Sequence, residues 1–180
     1  MQASKFHAFA LFFFAFRVAY AANPLGDNQP ADTFEQRERL HTIIQQARAV
    51  VAELTELDVR SRFGKPVAIQ TNLEQNKYVP EIQNRFIVLK YDKYVFRIFK
   101  SANTQTEFIT HFSLLSSNDD LRWGLKTGIS ELQIRYLLGA PEFTDRGVLV
   151  YEDRQEEPTV LLVHVRNGRV TRLDFCFYFE

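Results

Sequence analysis

Two stretches of this chain, TELDVRSRFGKP (Thr55–Pro66) and SELQIRYLLGAP (Ser130–Pro141), read as the same short element written twice. Five of their twelve positions are identical, and Thr/Ser, Val/Ile and Phe/Leu replace one another at three more. Each predicts a brief capped helix. Thr55 and Ser130 are N-cap residues whose hydroxyls satisfy free N–H groups of the first turn. Ser130 and Gln133 form an S-x-x-Q capping box. Gly64 and Gly139 suit the close of a helix, and Pro66 and Pro141 prevent its resumption. Val59 and Phe63 lie four apart, as do Ile134 and Leu138, so each pair can pin its helix onto an apolar surface.

The segments after each helix also agree. RFIVLKY, YVFRIFK and TEFITHFSLL follow the first; VLVYED, TVLLVHVRNG and RVTRLDFCFYF follow the second. Both sets are rich in β-branched and aromatic residues and read as antiparallel strands. Val67 to Asn84 reads as a long insert in the first copy, with a shorter counterpart in the second. Gly168 within RNGR marks a tight hairpin turn. In the last run Leu173, Phe175, Phe177 and Phe179 should face the helices, with Arg172, Asp174, Cys176 and Tyr178 on the opposite face. Upstream, Leu40, Ile43, Ile44, Ala47, Val50 and Val51 form the stripe of an amphipathic helix from about Thr33. The expected fold is α+β: tandem helix-plus-antiparallel-sheet units, with an N-terminal helix leading in.

The chain has 180 residues, and the first of them read as a secretory signal. Lys5 supplies the positive end, Ala8 to Phe16 the apolar run, and Ala19-Tyr20-Ala21 the small-x-small cleavage site. The rival reading is an uncleaved membrane anchor, but a spanning helix needs roughly 20 apolar residues, and this run stops before Arg17. The expected organisation is a signal peptide over 1–21, a polar lead-in over 22–32, and two units over 33–116 and 117–180. No later run is long enough to cross a bilayer, and on the signal reading the expected destination is the periplasm or the medium.

Removing Lys5 and Arg17 with the signal leaves 20 basic and 22 acidic residues. That balance argues against a nucleic-acid surface. Cys176 is the single cysteine, so no internal disulfide is possible. Neither a paired-ligand metal motif nor a phosphate loop nor a nucleophile elbow is present, and no cofactor is expected. His111 and His164 could meet across a sheet with Glu107 or Asp174, and a Cys176–His164 nucleophile pair is conceivable, though it lacks any trace of an oxyanion site.

The run LRWGLKTGISELQIRYLLGAP (Leu121–Pro141) resembles small exported proteins of the BamE and beta-lactamase inhibitor protein type. Gly124, Leu125, Gly128, Ser130, Leu138, Gly139 and Pro141 carry the resemblance. The inhibitor type is also a tandem of two such units, so the likeness implies a BLIP-like fold. Departures are the absence of a lipobox cysteine and of disulfides, and the first copy lacks the Gly-Leu-x-x-Gly lead. No functional residue transfers from the resemblance.

What remains is the outward sheet face. Alternation places Arg97, His111, His164, Arg172, Asp174 and Tyr178 on it, with Trp123 and Tyr151 nearby; arginine and aromatic residues are what protein interfaces favour. The expected function is a non-catalytic protein-binding module of the inhibitor, immunity or assembly-factor kind, its partner another envelope or secreted protein. The alternatives are a structural factor of the outer membrane or cell wall and, less well supported, a small hydrolytic enzyme.

Overall fold

A computed structural model describes residues 33–76, 78–104, 106–116, 124–154 and 158–177. The signal and lead-in readings, Trp123, Tyr178 and Phe179 lie outside them. The order is α1 (Phe34–Val51), α2 (Glu56–Phe63), β1 (Ala68–Gln75), β2 (Gln83–Lys90), β3 (Tyr94–Lys100), β4 (Glu107–Leu114), α3 (Glu131–Leu138), β5 (Phe143–Asp145), β6 (Val148–Asp153), β7 (Thr159–Arg166) and β8 (Arg169–Phe177). The strands form one antiparallel eight-stranded sheet ordered β1-β2-β3-β4-β8-β7-β6-β5.

Two meanders of four strands thus meet edge to edge, joined by the pairing of β4 with β8 from His111↔Cys176 to Leu114↔Leu173. Within Val67 to Asn84 lies β1, paired with β2 from Ala68↔Lys90 to Gln75↔Gln83, so the long segment adds a strand to the first meander. Its counterpart in the other meander is the short β5.

The two repeated stretches form α2 and α3 with matching ends. Thr55 with Asp58, and Ser130 with Gln133, close full capping boxes. An ion pair spans each helix, Arg60–Glu56 and Arg135–Glu131. Gly64 (φ 77°, ψ −152°) and Gly139 (φ 82°, ψ −159°) end them in a conformation that only glycine adopts without strain. A tyrosine hydroxyl then clasps each turn: Tyr91 donates to the Gly64 carbonyl and Tyr151 to that of Gly139, both at 3.3 Å.

All three helices pack on the same side of the sheet. Leu40, Ile43, Ile44, Ala47 and Val51 of α1, Val59 of α2, and Ile134 and Leu138 of α3 share one core with Leu89, Phe96, Phe112, Leu161, Leu173 and Phe175. Stacked rings of Phe96, Phe112 and Phe175 carry that core across the β4–β8 junction. Phe63 of α2 lies 4.9 Å from Phe96, centroid to centroid.

α1 does not simply lead into the first unit. It lies against α3, β6 and β4. His41 Nδ1 meets the buried Asp153 carboxylate at 2.8 Å, and Arg48 reaches Thr159. Its apolar stripe therefore seals the second meander and the junction. Among the described residues, no helix is long and apolar enough to cross a membrane.

Candidate functional site

With the helices on one side, strand alternation assigns every other residue to the opposite face. Cross-strand register assembles that face. Arg97 stands opposite Val88 and His111; His111 stands opposite Cys176; Ser113 opposite Asp174; and His164 opposite Arg172. Five of the predicted residues, Arg97, His111, His164, Arg172 and Asp174, therefore share one surface. Tyr151 does not. It is only 2% exposed, points to the helix side and spends its hydroxyl on Gly139. Its strand neighbours Leu149 and Asp153 are buried on the same side, so alternation turns it inward.

The centre of the face is a polar network. Asp174, 6% exposed, accepts from His164 Nε2 at 2.8 Å and from Arg172 Nε. Arg172 Nη2 also donates to Ser113 Oγ at 3.2 Å. Burial pushes the Asp174 pKa upward, but hydrogen bonds from His164, Arg172 and Ser113 and the Arg172 charge outweigh it and hold the pKa below the usual carboxylate value. The carboxylate stays ionised and fixes two cationic or donor side chains around itself. Next to it, His111 Nδ1 lies 3.0 Å from Thr110 Oγ1. Burial, reinforced by the Arg97 charge, pushes the His111 pKa down to about 4. The ring is neutral at pH 7.

Toward β1 the face turns aromatic. Phe86, Phe99 and Phe108 form a row across β2, β3 and β4, with centroids 5.3 Å and 4.8 Å apart. The Arg97 guanidinium lies 4.4 Å above the Phe86 ring and donates to Glu74 at 3.0 Å. All three phenylalanines are half-buried. The sequence reading passed over them, although alternation from Arg97 to Phe99 was the signal that would have found them. Val160 and Leu162 extend the apolar part on β7.

The nucleophile pair considered from the sequence is not assembled. Cys176 pairs with His111 and Val160, while His164 stands opposite Arg172, four residues back along β8. Burial, with the Asp174 charge, pushes the Cys176 thiol up to about 12, so it is protonated at neutral pH. Among the described residues, no three His, Cys, Asp or Glu side chains converge as metal ligands would. What the face offers is a rigid mixture of held arginines, neutral histidine and aromatic rings. Comparison of the chain with protein-family models, with curated proteins and with solved structures finds no match.

Proposed function

We propose that this chain is an exported, non-catalytic module that binds another protein across the open face of its sheet. One observation carries the reading. All three helices lie on one side, and the other side carries Phe86, Phe99, Phe108, Arg97 and Arg172 with no described element above them. An ordinary solvated sheet face alternates to polar residues; this one keeps large apolar rings beside arginines, the composition of interface centres. Arg97 is held by Glu74 and Phe86, and Arg172 by Asp174 and Ser113. Side chains already held lose less freedom on docking.

We also read the fold as a duplicated helix-plus-meander unit, which the matched capping boxes, ion pairs, glycine stops and tyrosine clasps of α2 and α3 support. That layout is in keeping with the resemblance to the beta-lactamase inhibitor and BamE types, which implies an inhibitor, immunity or assembly-factor role. Export rests on the signal-like first 21 residues.

The test is affinity capture from envelope and secreted extracts, with the wild-type chain and an Arg97→Ala/Phe99→Ala variant immobilised in parallel. The wild type should retain one protein, and the variant should bind it at least ~30-fold more weakly, the equivalent of about 2 kcal/mol. Equal retention by both would remove this face from the interface. Nothing retained by a folded sample would sink the binding role.

A further inference from the structure

The sheet has two edges, and they are unlike. β5 is three residues long, carries Asp145 and is followed at once by Arg146. Shortness and charge are the usual devices that keep an edge from pairing. β1 has neither. It runs for eight residues, AIQTNLEQ, without proline or bulge, and Glu74 is its one charge. Ile69 and Leu73, on the helix side of β1, are 51% and 59% exposed.

The backbone of β1 is also poised to pair. Asn76 N donates to Ile82 O at 2.7 Å, which sets the even-numbered residues of this hairpin as those bonded to β2. Tyr91 N donates to Tyr94 O, the complementary parity on the far side of β2. Ile69, Thr71, Leu73 and Gln75 therefore aim their N–H and C=O groups out of the sheet.

We propose that β1 is a self-complementary edge that pairs antiparallel with β1 of a second copy, about a two-fold axis through Thr71. Identical edges meet this way with the axis normal to the sheet, so a residue must face one of like parity. With Thr71 opposite itself, Ile69 falls opposite Leu73 of the second copy, and the contact occurs twice. On the other face Gln70 falls opposite Asn72, also twice. Glu74 meets Ala68, so no like charges oppose. Moving the axis to Asn72 would set Ile69 against Gln75 and lose the reciprocal apolar contact. The outward backbone groups fall in hydrogen-bonding pairs in the Thr71 register. The joined sheets would keep both helix layers on one side and both open faces on the other. That last consequence, a bivalent binder, rests on the functional reading above; the self-pairing does not.

An edge of this size belongs to the weak class of interface, below ~1,200 Å². Sedimentation equilibrium of the purified chain, without any partner, should therefore run up to about 200 µM, where micromolar association is visible. Wild type should dimerise. Thr71→Lys, at an exposed position, sets two charges against each other on the axis and should weaken the dimer at least tenfold while leaving the thermal melt of the monomer in place. In a Cys176→Ser background, Thr71→Cys should form an intermolecular disulfide faster than Gln70→Cys or Asn72→Cys, because only residue 71 faces itself. A wild type that stays monomeric throughout, a Thr71→Lys variant that dimerises equally well, or equal cross-linking at the three positions would overturn the proposal.

Discussion

Mild acid should destabilise this protein through one ring, His111, and His111→Gln should abolish that share of the effect. The ring is held neutral in the fold by burial and by Arg97, with its pKa at about 4 against an ordinary 6.5. The folded value lies below the unfolded one, so protons favour the unfolded chain. The resulting stability is complete above pH 6.5 and is lost as pH falls toward 4. A gap of about 2.5 pH units corresponds to about 3 kcal/mol in all, of which about 2 kcal/mol is lost between pH 7.5 and pH 5. Urea unfolding at those two pH values measures it. Glutamine keeps polar atoms near Thr110 and does not titrate, while every carboxylate and the other histidines are common to both proteins. Wild type should lose about 2 kcal/mol more than His111→Gln over the interval. Parallel losses in the two proteins would refute the reasoning, as would a His111 resonance titrating near 6.5 in the folded state.

Gly64→Ala should cost about 1–3 kcal/mol although nothing lies within 4 Å of the added Cβ, because the penalty is all in its backbone (φ 77°, ψ −152°); an unchanged thermal midpoint would mean that this turn tolerates a side chain. Cys176, with its thiol pushed up to about 12, carries on the order of a thousandfold less thiolate at pH 8 than a free cysteine. Iodoacetamide should accordingly spare it in the native protein and label it after urea unfolding, and equal rates in both states would show the thiol to be unprotected.

How much of this was legible in the residues depends on the range over which each feature is made. The ends of α2 and α3 were, because a Thr or Ser cap and a closing Gly act within a turn or so of chain. The inward set Leu173, Phe175 and Phe177 was, because one long strand alternates cleanly. β1 was not: Ala68, Gln70, Asn72 and Gln75 carry little strand preference, and the segment is a strand because β2 pairs with it along its whole length. Tyr151 was misplaced because aromatic character alone does not say which face of β6 it occupies. Its strand neighbours Leu149 and Asp153, buried on the helix side, decide that.

Short-range chemistry writes the two short helices with their stops, the amphipathic α1 and the strand-rich runs, and a single cysteine leaves no internal disulfide to form. Long-range packing alone joins the two meanders into one sheet through β4 and β8, lays α1 over the second meander, and gathers Ser113, Asp174, Arg172 and His164 into one network with His111 beside it. The reason is distance along the chain. Ser113 and Asp174 become neighbours through a strand pairing whose register is set by the packed core on the other side, and no local pattern encodes it.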